Sequence, residues 1–418
     1  MRARRPNTVR DLRRGSRSTL LSALYFDGPQ SRQELILATG FSSASVSNVT
    51  GELIEAGAIV EAGAIDSDGG RPRTLLQVNP DRYVVGLSVG PKRMVAGLFD
   101  LAMRARSTVT VPHSEGAHDP GEVVQRILVA VGKVVRDAGV DASRLLGIGL
   151  GVPGVVEHGA ELRVSDQTLG WAGVPLERLL RDGTELPLFV DNGAKNMGQA
   201  EMWFGAGRGV REAVIVLIGS GAGAAIVSGG GIYQGASSSA GEWGHTIVEV
   251  GGRRCRCGAR GCLEAYVGAE AIIDRYHQLT GLRRAPGLDE EAELDRLMRA
   301  APDDDVAGRV LEETALYLGV GVANLINLIN PERIVIGGWA GLLLGNRLLD
   351  SIRAVARENA LRSPYDHTTI ELARLGVDAD ILGAATLPIA EFLRSGGDAS
   401  ASRPVSAAPG PAALWLDA

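Results

Sequence analysis

All three cysteines of this chain, Cys255, Cys257 and Cys262, fall inside one stretch of eight residues, and His245 stands ten positions before the first of them. An odd, clustered count is not a disulfide framework; it is the pattern of a metal site in a reducing compartment. Cys-x-Cys-x4-Cys with the upstream histidine offers three thiolates and one imidazole, a closed tetrahedral set suited to structural zinc. Sulfur ligands disfavour magnesium and calcium. Free buried cysteines would give no reason for Gly258 and Gly261, which let the chain bend between ligands. The expected cofactor is therefore zinc, held by His245, Cys255, Cys257 and Cys262.

At 418 residues the chain is too long for one ordinary core, so two or three domains are expected. Its net charge of -6 conceals an asymmetry: residues 1–17 carry Arg2, Arg4, Arg5, Arg10, Arg13, Arg14 and Arg17 against the single acid Asp11. A basic arm on an acidic body suits a local nucleic-acid contact. No apolar run approaches the roughly 20 residues that span a bilayer, and the arginines lack the apolar segment of a signal peptide behind them. A cytoplasmic protein with no membrane partner is expected. The Ser/Ala/Pro-biased stretch 395–418, which includes Trp415, reads as a disordered tail.

Residues 1–80 read as that arm followed by three helices and a hairpin. Residues 18–26 form a short apolar helix, ended by Asp27-Gly28-Pro29. Ser31 can cap a second helix, with Glu34 completing a capping box, and Gly40 supplies a turn. Ser42 or Ser43 caps a third, on which Val46, Val49, Leu53 and Ile54 fall at helical spacing. Strands at 58–64 and 73–78 are joined by residues 66–70. This is the layout of a winged helix-turn-helix, whose third helix enters the major groove with Ser43, Ala44, Ser45, Ser47 and Asn48 exposed. Arg71 and Arg73 on the wing would reach phosphates or a narrow minor groove. No Arg or Lys occurs between Ser42 and Val60, so affinity for a double-stranded DNA operator would rest on the arm and wing. One such domain has a small footprint, so a homodimer or tetramer is expected.

From Tyr83 the rhythm changes to α/β: the apolar segments VVGLSV, LLGIGLGV, LPLFVD, AVIVLIG and RIVIGG alternate with helical stretches. A hinge at 207–211 would separate a lobe at 81–207 from a second lobe at 208–394 that carries the zinc loop. The acidic stretch 283–305 reads as a surface helix pair.

The run Ala240-Gly241-Glu242-Trp243-Gly244-His245, with the cysteine loop ending in Glu264, resembles the signature of the ROK family, which groups bacterial sugar kinases with sugar-dependent repressors. The resemblance covers nearly the whole chain: residues 149–154 (GLGVPG), Leu169-Gly170-Trp171, residues 203–209 (WFGAGRG) and Asn330-Pro331 before Gly337-Gly338 follow the family's order. It implies a two-lobed actin-like/sugar-kinase (ribonuclease H-like) fold behind the winged helix. It also implies sugar-binding roles for Asn192, Glu242, His245 and Glu264, because carboxylates accept strong hydrogen bonds from hydroxyls.

Kinases of the family carry an Asp-x-Gly-Gly-Thr loop after the first strand; the matching stretch here is Ser88-Val89-Gly90-Pro91-Lys92, and Pro91 removes a backbone donor. Their base is the Asp of an Asn-Asp-Ala-Asn run, and Gly193 of Asp191-Asn192-Gly193-Ala194-Lys195 holds that position. Phosphoryl transfer needs both parts. The Gly-rich run 219–223 remains, which alone is weak evidence for a nucleotide. The resemblance therefore implies a sugar-responsive transcriptional repressor of carbohydrate metabolism, not an enzyme, with no catalytic residues. Two alternatives stay open: an active ROK-type sugar kinase, and a DNA-binding protein whose body only oligomerises. Lys92 and Lys195 also leave room for a phosphorylated effector.

Overall fold

The computed structural model describes residues 9–67, 70–90, 93–112, 118–284 and 289–398, with the backbone alone for residues 9, 65–67 and 70–71. Arg2, Arg4 and Arg5, the wing tip at Asp68-Gly69, the side chain of Arg71, Pro91, Lys92 and the stretch 399–418 with Trp415 lie outside the described residues.

Helix α1 spans Val9–Phe26, twice the apolar stretch expected to form it. Ser18, Leu20, Leu21 and Leu24 are its buried face, and the helix continues backward through Arg17, Arg14, Arg13 and Arg10. Arginine is a good helix former, and Asp11 lies in the first turn, where the helix dipole favours an acid. From Val9 onward the basic segment is thus helical and not an arm. A two-residue strand β1 (Gln30–Ser31) leads into α2 (Arg32–Thr39). The Ser31 hydroxyl accepts from the Glu34 amide at 3.3 Å, and the Ser31 amide donates to Glu34 Oε2 at 2.7 Å. Gly40 closes α2 at φ 68°, and Ser42 caps α3 (Ser43–Glu55). The hairpin of β2 (Ile59–Ser67) and β3 (Gly70–Val78) completes a sheet of order β1-β3-β2. Pairing of Ser31 with Leu75 fixes the hairpin to the helices.

The body begins with β4 (Tyr83–Val89), β5 (Arg93–Asp100), β6 (Ala105–Pro112), α4 (Pro120–Ala138) and β7 (Leu145–Val152). A small antiparallel sheet of β8 (Val155–Glu157), β9 (Arg163–Asp166) and β10 (Trp171–Val174) precedes α5 (Leu176–Arg181), β11 (Leu188–Asn192) and α6 (Gly193–Phe204). The second half contains β12 (Ala213–Ile218), β13 (Ala222–Ser228), β14 (Gly231–Ile232), α7 (Glu264–Val267), α8 (Ala269–Thr280), α9 (Glu290–Ala300) and α10 (Asp305–Ile329). It ends with β15 (Arg333–Gly337), α11 (Trp339–Asn359), α12 (Arg362–Asp366), β16 (Thr369–Leu372) and α13 (Ala379–Arg394).

The two large sheets repeat one topology. Their orders are β6-β5-β4-β7-β11 and β14-β13-β12-β15-β16. In both, the first three strands pair antiparallel, while the fourth and fifth join the first strand in parallel. Every residue of β7 is buried, which accounts for its unbroken apolar run, since parallel strands are covered on both faces. This doubled α/β unit is the two-lobed, actin-like architecture expected.

Helices α6 and α13 lie between the sheets. α6 packs on β12 and β13, although it precedes them in sequence. α13 packs on β4 and β7, so the expectation that 208–394 forms one lobe is corrected: this last helix crosses back to the first sheet. The approach is close, since a Cβ on Gly149 would meet Ala384 O at 1.8 Å and one on Gly383 would meet Asn196 O at 2.0 Å. The expected surface helix pair at 283–305 is also corrected: α9 buries Leu294, Leu297 and Met298, and α10 begins only at Asp305. The expected hinge is tied down. Arg333 donates to the Ala206 and Arg208 carbonyls, and the Arg211 amide donates to Glu332 Oε1 at 2.9 Å.

The N-terminal unit is not loosely tethered. Leu20, Leu24, Val46, Leu53 and Leu76 share one buried cluster with Val84, Phe99, Ile389 and Phe392 of the body. Residues 395–398, counted with the tail in the sequence reading, pack there too: a Cβ on Gly396 would meet Arg17 Cβ at 2.7 Å, and one on Gly397 would meet Ala58 Cβ at 2.7 Å. Among the described residues no helix is long and apolar enough to cross a membrane.

Candidate metal centre, interlobe cleft and nucleic-acid face

The metal-ligand candidates converge. His245 ends a short 3-10 turn, and Cys255, Cys257 and Cys262 sit on the following loop, with one ligand atom from each within 4.8 Å of all the others. Gly258 (φ 91°) and Gly261 (φ 82°) bend the loop, and a Cβ on Gly261 would lie 1.7 Å from Glu249 O. Cys257 Sγ and Cys262 Sγ are 3.6 Å apart, too far for a disulfide, and Cys255 Sγ is 3.8 Å from His245 Nδ1. A tetrahedron with metal–sulfur bonds of about 2.3 Å has edges of about 3.8 Å, so the donor set fits zinc. Burial pushes the Cys255 thiol up to about 12 and Cys262 upward as well, so a cation favours their thiolates, whereas Cys257 is lowered, its burial outweighed by hydrogen bonds from the Ala259 amide and the neighbouring thiols. Glu249 braces the loop by accepting from Tyr266 at 2.6 Å and Tyr317 at 2.8 Å.

With Nδ1 toward the cysteines, His245 presents Nε2 to Glu242, at 3.9 Å from Oε2. Glu242 is raised above the ordinary carboxylate value, chiefly by burial, against the pull of His245 and Lys195. Glu264 is nearly buried: its Oε2 accepts from the Ala222 amide at 3.0 Å, and its Oε1 lies 3.5 Å from Arg256 Nη2. Asp166 of β9 feels both Arg256 and Glu264 across the cleft, and burial raises it. Asn192, expected to bind sugar, stands at the start of α6. Its side-chain oxygen caps α6 through the Ala194 and Lys195 amides, and Nδ2 donates to Gly154 O at 2.7 Å, so it shapes the cleft as a helix cap.

Three features of the cleft were not read from the sequence. Lys195 is buried; its Nζ donates to Gln234 Oε1 at 2.7 Å and to the Ser238 carbonyl, with Asp191 at 3.9 Å. These partners occupy the ammonium, which argues against the expected phosphate contact. Burial lowers its pKa, opposed by Asp191 and Glu242. Second, the chain's own acids contact the Gly-rich turn: Ser220 donates its hydroxyl to Glu290 and the Ala222 amide donates to Glu264 at 3.0 Å, while nearby Glu291 pairs with Arg93 at 3.6 Å. Third, Glu201 is fully buried and accepts from the Ala206, Arg374 and Leu375 amides, fixing the end of α6. Gly193 opens α6, and a Cβ there would meet nothing closer than Val152 O at 3.9 Å.

On the N-terminal unit, Ser43, Ala44, Ser45, Ser47 and Asn48 form the exposed face of α3, while Val46, Val49 and Leu53 are buried. Arg73 is exposed on β3. The unit also touches the body near α6, since Trp203 packs edge-on against Phe26 at 5.1 Å and Tyr25 at 6.0 Å between ring centroids.

A sequence profile described as "ROK family" matches residues 84–391. The xylose repressor of Caldicellulosiruptor bescii is 30% identical over 374 residues, covering 87% of this chain and 92% of its own length. A glucokinase of Halalkalibacterium halodurans is 33% identical over 316 residues, covering 73% of this chain and 95% of its own. Among solved structures, a ROK family transcriptional regulator described as a homolog of the E. coli MLC protein superposes with a TM-score of 0.77 at 27% identity, over 92% of this chain and 98% of that one.

Proposed function

This chain belongs to the ROK family, and from that premise we propose that it is a sugar-responsive, DNA-binding transcriptional repressor of carbohydrate metabolism whose kinase-type body is catalytically silent. The observation that carries the reading is the joining, through one core, of a helix-turn-helix to a body with Gly193 in place of the kinase base. The glucokinase match leaves about a quarter of the chain uncovered, while the xylose repressor and the regulator structure extend over most of it.

Ser43, Ala44, Ser45, Ser47 and Asn48 face the major groove of an operator, and Arg71 and Arg73 serve the wing. Glu242, Glu264 and His245 Nε2 receive the hydroxyls of a small sugar, with Asn192 positioning the start of α6. His245, Cys255, Cys257 and Cys262 hold a structural zinc, which supplies a redox-silent crosslink for the cleft floor. Helix α6 starts in the cleft at Gly193 and ends against α1 at Trp203, a path for the signal. Coupling requires only that the sugar prefer one arrangement of this helix. The protein acts in the cytoplasm as a homodimer or tetramer, since two half-sites enlarge a small footprint.

The test is a mobility shift on the DNA upstream of the chain's own gene, with a panel of sugars and sugar phosphates. A specific shift relieved by one unphosphorylated sugar is expected. A shift indifferent to every sugar would make the body a scaffold, and ATP-dependent sugar phosphorylation would overturn the silent-body reading.

A further inference from the structure

Helix α3 presents polar residues and the acids Glu52 and Glu55 but no cation, since no Arg or Lys occurs from Ser42 to Val60. The charge missing there is delivered by α1. Because α1 is helical back to Val9, its Arg13 is brought over α3, where Nε donates to both oxygens of Glu52 at 2.9 and 3.0 Å and Nη2 donates to Oε1. Ser45, Asn48 and Glu52 lie along one flank of α3 at spacings of three and four residues, and together with Arg13, Ser16 and Val49 they line an open groove. The arginine side chain is 65% exposed and the glutamate 23%. Glu52 is held below the ordinary carboxylate value, first by the hydrogen bond from Arg13, so it is ionised at neutral pH. Arg10 and Arg14 are exposed on the same stretch of α1, and Arg14 pairs with Asp11 at 3.3 Å.

We propose that Arg13 and Glu52 form an exchangeable ion pair that gates DNA binding: a backbone phosphate of the duplex takes Arg13 from Glu52. The inference rests on the DNA-binding reading above and adds to it a phosphate contact from α1 and a brake on the recognition helix. The chemistry favours exchange. An exposed ion pair is weak in water, whereas an arginine–phosphate contact at the groove edge also releases condensed counterions. Glu52 opposes non-specific binding twice, by neutralising Arg13 and by repelling phosphate when Arg13 has left.

The experiment measures binding of the full chain to a short labelled duplex of arbitrary sequence by fluorescence anisotropy across a KCl series. The variants are Arg13→Ala, Arg13→Lys, Glu52→Gln and Arg73→Ala, each checked for an unchanged melting curve. The slope of log affinity against log salt should shrink by about 0.9 for Arg13→Ala, the loss of one phosphate contact. Arg13→Lys should retain the wild-type slope, and its contrast with the reduced slope of Arg13→Ala is what a purely structural role would not predict. Glu52→Gln should bind roughly two- to fivefold tighter, as expected for removal of a weak competing pair. A wild-type slope in Arg13→Ala, alongside a reduced one in Arg73→Ala, would overturn this inference and leave the DNA-binding reading intact. Weaker binding by Glu52→Gln would overturn the gate, since Glu52 would then be orienting Arg13. A wild-type protein that fails to bind the duplex at low salt sinks both.

Discussion

Replacing Trp203 by alanine tests whether α6 carries the sugar signal. Trp203 closes α6 against Phe26 at 5.1 Å with rings 89° apart, and against Tyr25 at 6.0 Å with rings 63° apart. Edge-to-face pairs contribute about 0.5–1.5 kcal/mol each beyond area burial, so the two together supply roughly 1–3 kcal/mol. That range equals the coupling free energy typical of an allosteric pair of sites, which corresponds to roughly 5–150-fold in affinity. The rest of the shared core remains, because Leu24, Leu53, Phe99 and Phe392 do not depend on the indole. Trp203→Ala should therefore stay folded and bind operator DNA within about threefold of wild type without sugar, the change in DNA affinity on adding the inducing sugar collapsing toward none. The assay is anisotropy on the operator, with and without whichever of glucose, xylose or N-acetylglucosamine releases the wild-type protein. Calorimetry with the same sugar separates lost coupling from lost sugar binding. A folded Trp203→Ala variant that binds sugar and keeps the wild-type ratio would refute the role assigned to α6.

Three further outcomes follow from the geometry. The purified protein should carry about one zinc per chain by elemental analysis, and Cys262→Ser should lose the metal and several degrees of melting temperature; full stability without metal would contradict the ligand assignment. Burial raises Asp380 from 3.8 to about 6, so its ionised form costs stability that is absent below pH 4, grows up to pH 6 and is complete above it. Asp380→Asn should accordingly stabilise the fold by about 1–3 kcal/mol at pH 7.5 and leave it unchanged at pH 3.5, as read by denaturant melts at both pH values. Gly193 leaves room for a Cβ, yet for Gly193→Asp a coupled assay with ATP and glucose should detect no turnover, because Glu290 and Glu264 already engage the Gly-rich turn.

The convergence of His245, Cys255, Cys257 and Cys262 was legible because they lie close in sequence and each residue type does one job. The capping box at Ser31 and Glu34 and the buried stripe of α3 were legible for the same reason: their partners lie within one or two helical turns. Long-range pairings were not. Arg13 and Glu52 are 39 residues apart, Ser220 and Glu290 are 70 apart, and nothing local marks either as a pair. Reading α1 from its apolar residues alone stopped it at Ser18, since a solvated helix turn of arginines carries no hydrophobic period. The return of α13 to the first sheet was hidden because Gly149 and Gly383 permit the contact by what they lack. The capping of α6 by Asn192 was likewise not legible, because the family resemblance points to a sugar contact and not to a cap.

The acids of the cleft also decide what kind of ligand it can accept. A nucleotide phosphate approaching the Gly-rich turn would have to displace Glu290 from Ser220 and Glu264 from Ala222, and would bring negative charge to both carboxylates. A sugar phosphate would meet Glu242 and Asp191, with Lys195 already engaged by Gln234 and Ser238. At the partial burial of this site such repulsion is little screened. Sugar hydroxyls face the opposite balance: each donates a proton, carboxylates are the strongest acceptors available to them, and no charge is brought in. On that reading, glycine at position 193 and the acids that contact the Gly-rich turn act in one direction. On the proposed function they suit the cleft to a single neutral polyol, at the start of a helix that begins with a cap and a buried lysine.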